Sequence, residues 1–233
     1  MLRMISRLTL KVLVDDMPSI EGVATAHGLS VLLTLRYGTT SRRILFDGGP
    51  SGSILSWNSR FMGEEVRPDI TVGSLMHWHH LGALKQLGLL EGALLPPPPL
   101  SYGVGGFEMR ELPGFPGVSI VLSKTPWPEQ ALLLETPSGR ILLVGCSVHG
   151  LRETFGVFLD RLKGLRGIVG GLNVTVRDSL NLAFLKSLAR RGVELILPLH
   201  STAWDARRLI MEKYNRFPVE FEVPGVGSQV ELE

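Results

Sequence analysis

The sequence predicts a layered α/β fold: two β-sheets packed face to face with helices outside. Three observations lead there. The first half of the chain is mostly strand-like segments whose apolar residues recur with a period of two. The second half alternates short apolar strands with segments of helical spacing. The chain has 233 residues, 44% of them hydrophobic, which supplies enough apolar surface for a substantial core.

The elements follow in order. Leu8, Leu10, Val12 and Val14 alternate with other residues and predict a strand. "LSVLLTLRYG" (29–38) and "RILFDGG" (43–49) predict two more, with "YGTTSRR" as a hairpin connection. "DITVG" (69–73) is a short buried strand, and "LGALKQLGLL" (81–90) reads as a helix. Four consecutive prolines make 91–106 an irregular surface segment, because proline donates no backbone hydrogen bond and clashes inside a helix. "VSIVLS" (118–123), "QALLLET" (130–136) and "RILLVG" (140–145) are strands, followed by a helix over 152–165. "GIVGGL" (167–172) is a strand, 179–192 a helix with a glycine stop, "VELILPLH" (193–200) a buried strand and 204–215 a helix. "VEFEV" (219–223) and "SQVELE" (228–233) are expected to close the sheets. No linker or short-period repeat divides the chain, so residues 1–233 are expected to form one domain.

Composition excludes several function classes. Charged residues make up 20% of the chain, the net charge is +2, and no block of basic residues stands out, so nucleic acid is not an expected partner. The apolar run in "MLRMISRLTLKVLVDD" is too short and interrupted for a signal peptide or anchor, so no membrane partner is expected. The lone Cys146 excludes an internal disulfide and fits a reducing, cytoplasmic setting, where its place after "ILLVG" predicts a buried, inert thiol. The oligomeric state is left open.

The chemistry is expected at the histidines. Three of the six fall in "HWHH" as His77, His79 and His80, directly after the strand at 69–73. His200 ends the strand at 193–200, His149 follows the strand at 140–145, and His27 precedes the strand at 29–38. Strand ends are where α/β folds place ligand-binding groups, and neutral imidazole is the commonest nitrogen ligand for zinc-like metals. In extended chain His77 and His79 point the same way, with His80 turned elsewhere. A second feature is "FDGGPSGS" (46–53), in which Gly48, Gly49 and Ser51 offer backbone N–H groups for an anionic cofactor or phosphate, with His27 as a further binding residue. Asp15 and Asp16 are expected as solvated turn carboxylates, and Trp78 as a core or pocket-lining residue. A rival reading takes "GCSVHG" as the nucleophile turn of a serine hydrolase, with Ser147, Asp178 and His200 in triad order; it leaves "HWHH" without a role.

"DITVGSLMHWHHLGAL" (69–84) resembles, without gaps, the signature of the metallo-β-lactamase superfamily, in which an apolar strand leads into His-x-His-x-Asp-His. The context resembles its dihydropterin-ribofuranosylaminobenzene-phosphate synthase-like branch through "VLVDD" (12–16), "AHGLS" (26–30), "LFDGG" (45–49), "GCSVHG" (145–150), "GGLN" (170–173) and "PLHSTA" (198–203). The resemblance implies a metallo-β-lactamase-like αββα sandwich and a metal-dependent hydrolase or transferase acting on a phosphorylated or pterin-like small molecule. It implies His77, His79, His80 and His200 as metal ligands, with His79 and His149 as catalytic groups and Asp47 supporting the metal loop. The ion implied is zinc, with iron and manganese as alternatives. Departures from the pattern are Leu75 for the first signature histidine, His79 for the aspartate, Val148 and Asn173 for two further histidines, and Ala26 for a glutamate. They reduce the expected site to one ion or none, and set beside the enzyme a second function: a degenerate relative that binds a ligand or partner through the old pocket.

Overall fold

The computed structural model describes residues 4–103 and 105–233. In chain order, β1 (Arg7–Val14), β2 (Ser30–Tyr37) and β3 (Thr40–Phe46) lead to α1 (Gly52–Phe61), β4 (Ile70–Val72) and α2 (Trp78–Gln86). β5 (Phe107–Glu111), β6 (Val118–Ser123), β7 (Glu129–Thr136) and β8 (Gly139–Val144) follow, then α3 (Leu151–Arg161) and β9 (Leu165–Gly170). α4 (Ser179–Arg190), β10 (Leu195–Pro198), α5 (Trp204–Lys213) and β11 (Gln229–Leu232) complete the chain. One sheet has the order β11-β1-β2-β3-β4 and the other β10-β9-β8-β7-β6-β5. Both are mixed: β3–β4 and β8–β9–β10 pair in parallel, and the remaining neighbours are antiparallel.

The two-residue period decides which face meets which layer. Leu8, Leu10 and Val12 of β1 and Val31, Leu33 and Leu35 of β2 face Leu132, Leu134, Ile141 and Leu143 of the other sheet in one buried core. The alternate residues face outward onto helices. Leu13, Val14, Leu32 and Leu45 pack under Leu55 of α1 and Ala83 and Leu84 of α2. Leu142, Val144, Ile168 and Ile196 pack under Phe155 of α3, Leu185 of α4 and Ile210 of α5. The result is the expected four-layer arrangement, helices on both outer faces of two stacked sheets. Among the described residues no helix is long and apolar enough to cross a membrane.

Parallel pairing sets the direction in which the chain leaves the sheets. Phe46 lies beside Val72, and Val144, Gly170 and Pro198 align across β8–β10. The C-terminal ends of β3 and β4, and of β8, β9 and β10, therefore open on one edge, and β1 runs the same way because it pairs antiparallel with β2, as β3 does.

Three expectations are corrected. The helix expected from residue 81 begins at Trp78, with His77 as its N-cap, so His79 and His80 lie in the first turn and His77 and His79 do not share a strand face. "VEFEV" pairs with no strand; Val219 and Phe221 pack against the inter-sheet core from an irregular segment, satisfying the alternation without a ladder. β5 had no apolar signal because it is an edge strand with four of its five residues exposed, "FEMRE", whose charges discourage edge-to-edge pairing.

Candidate metal centre

The strand ends at the shared edge deliver Asp15 and Asp16 after β1, Asp47 after β3, Ser74 after β4, Cys146 and Ser147 after β8, Asn173 after β9, and His200 and Ser201 after β10. The backbone there is strained. Asp47 (φ 57°), Ser147 (52°), Asn173 (51°) and Ser201 (62°) all adopt left-handed conformations. Each such residue costs on the order of 1–3 kcal/mol, and the strain persists only where surrounding bonds over-determine it. Those bonds are present: Glu129, fully buried at the start of β7, accepts from the N–H of Cys146 and Ser147 at 2.8 Å each and of Val148 at 3.2 Å. Asn173 Nδ2 donates to the carbonyls of Ser147 and Val148 at 3.1 and 2.9 Å. Gly145 permits the closest approach, since a Cβ there would lie 1.9 Å from Ser74 Oγ.

Two imidazoles are each anchored on a carboxylate. His80, fully buried, places Nδ1 2.7 Å from Asp47 Oδ2. Asp47 also accepts the Ser74 N–H and the Ser74 hydroxyl, both at 2.6 Å. With Asp47 ionised and accepting only, the network places the His80 proton on Nδ1 and leaves Nε2 as a bare lone pair. That Nε2 is buried with no hydrogen-bond partner. Burial pushes the Asp47 carboxyl up to about 7 against the Ser74 bonds, and pushes His80 well below the ordinary histidine value.

His200 repeats the arrangement from the other sheet. Its Nδ1 is 2.9 Å from Asp16 Oδ1, and Asp16 also accepts from the N–H of Ser201 at 3.0 Å and of Gly28 at 3.2 Å. Desolvation pushes the Asp16 carboxyl up, but the bond and charge of His200 with the two N–H groups outweigh it and hold the carboxyl below the usual range. Behind it the buried Arg207 guanidinium donates to Asp15 and to the Thr202 and Pro224 carbonyls. Asp15 and Asp16 are thus structural and positioning carboxylates, not the solvated ones expected; the polar strand end "VLVDD" carried that signal.

His79 lies between the anchored pair. Its ring centroid is 4.3 Å from that of His80 and 5.1 Å from that of His200, and its Nε2 is buried without a partner. Burial, reinforced by the neighbouring imidazoles, pushes His79 down to about 2, so the ring is neutral. His77 is 4.1 Å from His79 between ring centroids, and its Nδ1 also has no partner. One donor atom each from His79, His80, Cys146 and His200 fall within 4.8 Å of one another. Converging bare lone pairs in a buried polar pocket fit a divalent ion of the zinc type.

A cavity of about 460 Å³ opens on this cluster, lined by His27, His77, His79 and His200 together with Leu75, Trp127, Cys146 and Val148. The structure therefore gathers His27, His77, His79, His80 and His200. His27 is held 3.3 Å from Asp16 by its Nδ1. It does not gather His149, which is exposed on the turn before α3 and away from the cavity wall. At the turn of Gly48, Gly49 and Ser51, the Gly48 N–H is spent on the His80 carbonyl at 2.8 Å, and the Gly49 carbonyl accepts from the Ala83 N–H at 3.0 Å. The Ser51 hydroxyl pairs with that of Ser53 at 2.8 Å. Gly48 lies close against Leu84 of α2, and Gly49 close against Val14 of β1. Trp78 is exposed beside His77 and not in the core. The serine-hydrolase triad is absent, because Asp178 caps α4 through Asn181 and His200 Nδ1 is on Asp16. Cys146 sits on the cavity wall with Sγ 3.9 Å from His200 Nε2. Glu129 and Arg207 were not legible as site supports, since neither lies in a motif.

No family model matches the sequence, and no curated protein matches it. Among solved structures, the chain overlays the metal-dependent hydrolase Tm1679 of the beta-lactamase superfamily with a TM-score of 0.66, 18% identity, and 97% and 98% of the two chains covered. The chain has the metallo-β-lactamase fold. Weaker overlaps are with the metallo-β-lactamase TMB-1 (TM-score 0.44, 14% identity, 79% and 92% covered) and a quorum-quenching N-acyl homoserine lactone hydrolase (0.40, 14%, 86% and 94%). Within the metallo-β-lactamase fold, the site described above occupies the edge where strand ends of both sheets meet.

Proposed function

We propose that the chain is a metal-dependent hydrolase holding one divalent ion on His79, His80 and His200. The observation that carries this reading is the pair of carboxylate-anchored imidazoles, Asp47–His80 and Asp16–His200, each of which frees Nε2 toward the same point. A carboxylate on the far nitrogen fixes the tautomer and raises the basicity of a ligating imidazole. The ion would polarise a substrate carbonyl and lower the pKa of a bound water. His77, neutral and with a bare Nδ1 at the cavity, takes the role of proton acceptor. Trp127, Leu75 and Val148, which line the same cavity, orient an apolar part of the substrate.

Of the two substrate classes implied by the resemblance, neither a phosphorylated nor a pterin-like one finds support here. No lysine or arginine lines the cavity, and phosphate recognition ordinarily calls for such a cation. A small neutral ester or lactone suits the wall better.

Metal analysis of the purified protein, before and after reconstitution with zinc, iron or manganese, tests the reading together with hydrolysis of an ester and lactone panel. One equivalent of metal and metal-dependent turnover are expected. Metal below about a tenth of an equivalent after reconstitution would sink it. Stoichiometric metal without turnover on any ester, lactone or phosphoester would favour the ligand-binding reading, which Leu75 and Val148 at two expected ligand positions support.

A further inference from the structure

We infer that Cys146 is the fourth ligand, bound as a thiolate, and that it restores the negative charge the site lacks where His79 stands for an aspartate. This rests on the metal-dependent reading above. Three imidazoles place no negative donor directly on a divalent ion, and Asp47 and Asp16 compensate its charge only from behind, through the far ring nitrogens of His80 and His200. The candidate donors at that point carry one group able to become an anion, the Cys146 thiol.

Geometry agrees with this role. Sγ is 3.9 Å from His200 Nε2. With Zn–S near 2.3 Å and Zn–N near 2.05 Å, a tetrahedral ion would separate the two donors by about 3.6 Å. The pair therefore needs to close by only a few tenths of an ångström. The present contact is the one expected without an ion, a weak S–H group beside a bare imidazole nitrogen.

The backbone of Cys146 is also clamped. Its N–H donates to Glu129 Oε1 at 2.8 Å, and its carbonyl accepts from Ser201 Oγ at 2.9 Å. Ser147, the next residue, is held in a left-handed conformation. A second, independent observation points to the same spot: His80 Nε2, on a fully buried side chain, has no partner and belongs to the same donor cluster. On binding, the thiol loses its proton to solvent as the metal–sulfur bond forms, and no oxidant or reductant is involved.

The test is cobalt substitution of the full chain. Co(II)-loaded protein should show a thiolate-to-cobalt charge-transfer band in the near ultraviolet, and Cys146→Ser should lose that band and bind metal about 10–100-fold more weakly. X-ray absorption of the zinc form should show one sulfur neighbour at about 2.3 Å, a readout that needs no variant. Metal bound at one equivalent with no sulfur neighbour and no band would overturn the assignment while leaving the hydrolase reading intact. Failure to bind any metal would overturn both.

Discussion

The two halves of the cavity wall are built on different plans. On one side His79, His80 and His200 converge, and two of them are braced by carboxylates that are themselves held by Ser74, Ser201, Gly28 and the Arg207 scaffold. The other group, Leu75, Val148 and Trp127, presents apolar surface to the same cavity, and Asn173 spends its amide on the Ser147 and Val148 carbonyls. A polar site in a buried setting survives only when every group has a partner. The braced half meets that demand with support reaching far behind the lone pairs. The apolar group offers no comparable set of anchored donors, and the proposal of a single ion rests on that contrast.

The largest break in this contrast should come from His80→Ala, which removes a buried ligand and leaves Asp47 without its imidazole. Elemental analysis should show the bound equivalent lost. Asp16→Asn keeps the shape of the brace but weakens the orientation of His200; metal affinity should fall about 10–100-fold, read by competition with a chelating dye. The contrast sharpens in the opposite direction with Leu75→His combined with Val148→His. That variant places two imidazoles beside His77, and titration should find a second, weaker equivalent of zinc that either single substitution lacks. Gly145→Ala should destabilise by about 1–3 kcal/mol in chemical denaturation, because the added methyl drives into Ser74 and disturbs the brace on Asp47.

A further effect is on pH dependence. In the metal-free protein His79 sits at about 2, against an ordinary value of 6.5. Below that ordinary value the unfolded chain takes up a proton that the folded chain refuses, so folding stability is greatest above about pH 6.5 and declines as pH falls toward 2. The melting temperature of the metal-free protein should therefore drop on acidification, and His79→Gln should flatten the decline. An unchanged slope in that variant would mean His79 is not one of the groups responsible.

The sequence by itself determined the layers. The apolar segments read at 8–14, 29–38 and 140–145 became β1, β2 and β8, and the alternation of Leu8, Leu10 and Val12 puts them together in the inter-sheet core, whereas Val14, past a bulge, packs on the helix side. It also marked "HWHH" and the strand-end His200 as the place of chemistry. Only the tertiary structure decided how these histidines are used. That His79 and His80 point differently follows from a helix that starts at Trp78, a boundary that local pattern does not fix. That Asp16 anchors His200 depends on two residues 184 positions apart meeting at one edge. That His149, Gly48, Gly49 and Ser51 stand aside, while Cys146 and Glu129 turn inward, depends on how the two sheets are stacked. Pairing within a strand is a local property of the chain. Which strand ends share an edge is a property of the closed sandwich alone.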